Sequence, residues 1–136
     1  MKNFKVLSFV LMSVFCLMSC NAKSKTNKEV SVPGYKSVAM EEGLKLMESS
    51  TDFVLLDVRT PEEYAAGHIP GAVQLTNETF TEMDAAKVIK DKSQNVYVYC
   101  KSGRRSKESS KKLVDFGYTN VIEIGGIMDY TGEIER

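Results

Sequence analysis

Residues 96–106 read VYVYCKSGRRS. Val96, Tyr97, Val98 and Tyr99 are β-branched and aromatic, and the polar stretch 92–95 bounds them, so they predict a buried strand. The run ends on Cys100, and Lys101, Gly103, Arg104 and Arg105 crowd the residues that follow. Ser106, Ser109, Ser110, Leu113 and Phe116 then recur at helical spacing, and Gly117 suits the position just past a helix end. A strand that runs through a glycine loop into a helix is a βα unit. The small serines let that helix lie close to a sheet.

The same alternation extends on both sides. The unbroken apolar run 53–56 fits a strand covered on both faces. Thr60-Pro61-Glu62-Glu63 combines a capping threonine, a proline at the first helical position and a glutamate that completes a capping box. Gly67 and Pro70-Gly71 keep that helix short. A brief strand follows at 72–75, and Phe80, Met83, Ala86 and Val88 suggest a further helix. Residues 121–124 form the last strand, before Gly125-Gly126. Upstream, Met40, Leu44 and Met47 mark a helix that Ser49-Ser50-Thr51 breaks, and 36–38 suits a short edge strand. Met40, Met47 and Met83 fit helical core positions and need no cofactor. No internal repeat is present. Strands alternating with helices predict an α/β fold, a single mainly parallel sheet with helices on both faces.

With 136 residues, 43% hydrophobic and 26% charged, the chain has room for one globular domain. Its start reads differently. Residues 1–5 are basic and 6–18 almost wholly apolar, the pattern of a secretory signal too short to span a membrane comfortably. Leu17-Met18-Ser19-Cys20 closes it and resembles a bacterial lipobox. That resemblance implies removal of 1–19 and acylation of Cys20, which becomes the mature N-terminus. The expected organisation is a signal peptide at 1–19, a lipidated N-terminus with a flexible tether at 20–34, and a domain at 35–136. The expected location is the cell envelope, on a bacterial membrane and facing the periplasm or the outside.

Of three cysteines, Cys16 leaves with the signal and Cys20 carries lipid, so Cys100 is the one free thiol and no internal disulfide can form. Loss of 1–19 also removes Lys2 and Lys5 and no acid, which leaves the mature chain mildly acidic. General nucleic-acid binding is therefore not expected, and the cations beside Cys100 are a local feature. They sit at the carboxyl end of a strand, where open α/β sheets bind ligands. Gly103 allows a tight loop whose N–H groups turn inward as an anion-binding nest above a helix N-terminus, and this field favours a thiolate.

Three motifs in order carry a wider resemblance. Residues 55–64, LLDVRTPEEY, with 67–72, GHIPGA, resemble the first signature of the rhodanese family of sulfurtransferases. Residues 98–106, VYCKSGRRS, resemble its active loop, and 117–126, from Gly117-Tyr118 to Gly125-Gly126, its closing segment. The similarity covers 35–136. It implies a single parallel sheet flanked by helices, with Cys100 carrying sulfur. Many members have tryptophan after the paired glycines, where this chain offers Tyr130 at the rim. The chain stops soon after that segment, so a second such domain is not expected.

The implied chemistry is ping-pong transfer. Cys100 attacks the outer sulfur of a small anionic donor such as thiosulfate, sulfite leaves, and the persulfide passes its terminal sulfur to a thiol, cyanide or a protein acceptor. The N–H groups of Lys101, Ser102, Gly103, Arg104 and Arg105 would hold the persulfide, and the cationic side chains would draw in the anion. No metal or organic cofactor is needed. Asp57 and Arg59 are expected to order the loop ends as an ion pair, with Ser106 supporting the active loop. His68, in Gly-His-Ile-Pro-Gly, is better suited to orienting a turn than to serving as a base. Two other function classes use a reactive cysteine of this kind. Cysteine phosphatases place five residues between cysteine and arginine, whereas four separate Cys100 from Arg105 and Ser106 takes the next place. A non-enzymatic persulfide carrier or binding module for a partner protein uses the same cysteine.

Overall fold

The computed structural model describes residues 30–32 and 34–136. The signal segment and Cys20 lie outside the described residues. In chain order the elements are β1 (Val30–Val32), β2 (Tyr35–Ser37), α1 (Met40–Glu48), β3 (Phe53–Asp57), α2 (Pro61–Ala66), β4 (Val73–Gln74), α3 (Glu82–Val88), β5 (Asn95–Cys100), α4 (Arg104–Asp115) and β6 (Val121–Gly126), followed by a 3-10 turn at Ile127–Asp129. The strands form one sheet in the order β1-β2-β6-β5-β3-β4. β2, β6, β5, β3 and β4 are parallel, and β1 pairs antiparallel with β2.

Side-chain alternation along β5 divides the core. Val96, Val98 and Cys100 face a cluster with Phe80, Ala85, Ile89 and Leu113, under α3 and α4. Tyr97 and Tyr99 face a second cluster with Met40, Met47, Ile69 and Ile124, with Tyr64 packed against it. Both faces of the sheet are thus covered, as the apolar runs required. α4 buries Ser106, Ser109, Ser110 and Leu113, the small-residue face seen in the sequence. α2 starts with the full capping box between Thr60 and Glu63.

Three expectations are corrected. Residues 36–38 are not an edge, because β1 lies outside β2, and the sheet therefore begins within the stretch read as tether. Met83 is not core: it is 73% exposed. α3 starts only at Glu82, after Thr81 caps it through Asp84, and this phase turns Ala85 and the C-cap Ile89 inward in place of Met83 and Ala86. Phe53 begins β3 exposed, so the apolar run is covered on both faces only from its third residue.

The sheet also carries an irregularity that shapes the site. β5 and β6 pair Val98 with Glu123 and then Cys100 with Gly126, so β6 has one extra residue there. Gly125 accommodates it with a φ of 85°. The bulge brings β6 against the loop after β5, where a Cβ on Gly126 would overlap the Lys101 carbonyl and Ser102 Cα. The Met128 N–H donates to that same carbonyl at 3.3 Å.

Candidate active site

Cys100 is the last residue of β5 and is 1% exposed. The chain turns over it at Gly103, whose φ of 100° lies in the left-handed region, and α4 begins at the next residue. The turn points the Gly103 N–H at the sulfur, to which it donates at 3.0 Å. The free N–H groups of the first turn of α4 lie at the same end of the helix, which carries its partial positive charge. A nucleophile at a strand end, under a glycine turn that opens a helix, is a place where negative charge on sulfur is stabilised.

The cations around this turn have distinct positions. Lys101 and Ser102 are exposed. The Arg104 side chain is 71% exposed and pairs with Glu108 of its own helix at 2.6 Å. Arg105 is 14% exposed and grips Glu63 of α2 with two hydrogen bonds, of 2.7 and 3.0 Å. That grip holds the Glu63 carboxyl down at about 2, with the Thr60 N–H helping, and raises the Arg105 guanidinium above its ordinary value. Arg105 therefore ties the active loop to α2.

Asp57 and Arg59 form the expected ion pair at the carboxyl end of β3, on the face of the sheet opposite the sulfur. Arg59 Nη2 is 2.5 Å from Asp57 Oδ2, and the Arg59 N–H and Nε also donate to the carboxylate, at 3.0 and 2.9 Å. Arg59 further donates to the Gly67 carbonyl at 2.8 Å, and the Tyr99 hydroxyl to Asp57 at 2.8 Å. Burial, with Asp57 adding to it, pushes the Tyr99 phenol far above its usual range. This knot fixes the carboxyl end of β5 from one face of the sheet, and Cys100 points to the other.

His68 is part of a different junction. It stacks on Tyr64 at 3.7 Å, its Nδ1 meets the Tyr64 carbonyl at 3.0 Å, and its backbone pairs with Glu135. It orients a turn. Tyr130 packs against the cluster under α1 and lines an apolar groove with Leu44, Met47, Phe53 and Ile69. Among the described residues, no group of three His, Cys, Asp or Glu side chains could hold a metal.

One residue of the site escaped the sequence reading. Glu123 is 1% exposed in β6, beside α4. Its Oε1 accepts from Ser106 Oγ at 2.6 Å and from the Gly125 N–H at 2.8 Å, and its Oε2 from Ser37 Oγ at 2.5 Å. Ser106 Oγ is in turn 3.6 Å from Cys100 Sγ. A carboxylate between Ile122 and Ile124 in a central strand was the available signal, because a buried charge requires dedicated partners.

Comparison with known proteins agrees with this geometry. The family model described as rhodanese-like domain matches residues 40–133. The thiosulfate sulfurtransferase PspE of Escherichia coli is 38% identical over 74 residues, 54% of this chain and 70% of that protein. A tRNA uridine(34) hydroxylase of Bdellovibrio bacteriovorus is 32% identical over 126 residues, 82% of this chain and 35% of that protein, so the chain spans about a third of it. Among solved structures, a rhodanese with anions from E. coli superposes with a TM-score of 0.57 at 32% identity, covering 61% of this chain and 96% of that one. A parallel sheet with helices on both faces, the cysteine loop and the match over nearly all of the described residues lead to one conclusion: the chain belongs to the rhodanese-like domain family.

Proposed function

We propose that this protein is a sulfurtransferase that moves sulfane sulfur from a thiosulfate-type donor to a thiophilic acceptor through a persulfide on Cys100. The observation that carries the reading is the Gly103 N–H aimed at Cys100 Sγ at the start of α4. The thiolate, its proton given to solvent, attacks the outer sulfur of thiosulfate. A bond forms between Sγ and that sulfur, the bond to the sulfonate breaks, and its electron pair leaves with sulfite. The terminal sulfur of the persulfide is then attacked by cyanide or a thiol, and Cys100 departs as thiolate. The chain's similarity to a thiosulfate sulfurtransferase supports this donor.

Incubation with thiosulfate is expected to add one sulfur atom to the peptide containing Cys100, and cyanide to remove it as thiocyanate. Cys100→Ser abolishes both steps with the fold intact, because a serine hydroxyl is far less acidic. Undiminished transfer by that variant refutes the mechanism. Sulfur accepted only from a protein donor, with no turnover of free thiosulfate, identifies a carrier.

The proposed location is the bacterial cell envelope, with the domain held to a membrane by acylated Cys20. The support is the apolar run ending in Leu-Met-Ser-Cys. The native protein should fractionate with membranes and have the intact mass of a chain acylated at Cys20. A soluble protein starting at another residue overturns this.

A further inference from the structure

Ser106 has a single hydroxyl proton and several acceptors around it. Glu123 Oε1 is the nearest at 2.6 Å and carries charge, whereas the Gly103 and Gly125 carbonyls lie at 3.0 and 3.3 Å. The proton therefore goes to Glu123, and Ser106 turns a lone pair toward Cys100 Sγ at 3.6 Å. A lone pair suits an S–H donor and repels S⁻. Glu123 itself is surrounded by donors, Ser106, Gly125 and Ser37, which match an ionised carboxylate. The arrangement is a directed chain from thiol to hydroxyl to carboxylate, and all three of Cys100, Ser106 and Glu123 are buried.

The other charged groups near the sulfur are cations that act in the opposite sense, two of them with carboxylate partners. Lys101 lies in its own loop. Arg104 of α4 is paired with Glu108, and Arg105 with Glu63 of α2, with Glu78 also within electrostatic reach of Arg105. Asp57 and Arg59 at the end of β3 neutralise each other, and β2 contributes Ser37, hydrogen-bonded to Glu123.

We propose that Glu123, acting through Ser106, is a positioning residue that opposes the Gly103 N–H at Cys100 Sγ and so raises the pH above which the sulfur becomes nucleophilic. The proposal rests on Cys100 being the sulfur-carrying residue. It gives the buried carboxylate a role that loop architecture alone does not require: a thiol resists oxidation better than a thiolate, and the sulfur is released for attack only as the pH rises.

The test is the pH dependence of iodoacetamide alkylation of the full chain, read by mass spectrometry on the peptide containing Cys100. Glu123→Gln keeps the size and removes the charge, and it should move the midpoint toward acid by about one pH unit. Alkylation well below the parent's midpoint then runs about tenfold faster. Glu123→Asp keeps the charge and should stay nearer the parent. Ser106→Ala removes the acceptor of the thiol proton and should move the midpoint in the same direction, so it decides the matter if Glu123→Gln fails to fold. A folded Glu123→Gln or Ser106→Ala protein with an unmoved or alkaline-shifted midpoint overturns the proposal. Alkylation needs no sulfur transfer. A parent that forms no persulfide with thiosulfate sinks the functional reading alone.

Discussion

Adjacent arginines in the active loop have different work. Arg105 is largely buried and doubly hydrogen-bonded to Glu63, so Arg105→Ala leaves a half-buried carboxylate without its partner and should lower stability by about 1–2 kcal/mol. The pH dependence checks this. Glu63 lies below its ordinary value of 4.5, at about 2, in the folded protein. A folded value below the unfolded one contributes stability that is fully present above about 4.5 and is lost as the pH falls toward about 2. Denaturant titrations at a series of pH values should therefore show a steeper acid loss in the parent than in Arg105→Ala. Equal slopes would remove the ion pair as the cause. The sequence showed the cations beside Cys100 but not this division, because a guanidinium's partner 42 positions away is fixed only by the tertiary fold. Glu123 was hidden for a related reason: its strand reads as apolar, and the serines that justify the charge come from β2 and α4.

At the level of elements, the cysteine loop is supported from below by β6. The bulge at Gly125 delivers Gly126 against the Lys101 carbonyl with no room for a Cβ. Gly126→Ala must displace either the loop or the strand, at a cost of about 1–3 kcal/mol. Its effect on persulfide formation should exceed that of alanine at Gly71, where φ is positive but an added Cβ meets nothing. Thiosulfate loading of the two folded variants, normalised to the parent, makes the comparison; equal losses would show that the contact does not set the loop. Which elements were legible follows from where their signals lie. The α2 capping box and the serine face of α4 are local patterns, and both appear as read. The phase of α3 was misjudged because its cap, Thr81, lies just after the buried Phe80, which makes Phe80 look like the helix's first inward residue. β1 was missed because a three-residue strand at the sheet edge has little sequence of its own to announce it.

Across the whole molecule, the sheet's two covered faces separate the knot of Asp57, Arg59 and Tyr99 from the sulfur, and charge is distributed with the same economy. The full chain has no formal net charge at pH 7, and without residues 1–19 it is mildly acidic, so its overall field does not draw in an anionic donor. Attraction has to come from the mouth of the loop, where Lys101 and Arg104 are exposed. Arg105 is committed to Glu63, and Arg104 is the arginine whose charge faces solvent. Arg104→Ala should therefore lower the second-order rate constant for thiosulfate by several-fold to about tenfold, with little effect on an uncharged persulfide donor. Removing a cation also disfavours the thiolate, which would slow both donors, so the comparison belongs at a pH where the thiolate is fully formed. The screening length is about 8 Å at physiological ionic strength, so added salt should narrow the gap between the donors in the parent and change it little in Arg104→Ala. A thiosulfate rate constant indifferent to both salt and Arg104 would mean that the donor is held by the backbone turn at Gly103 alone, and that the exposed cations serve a larger acceptor.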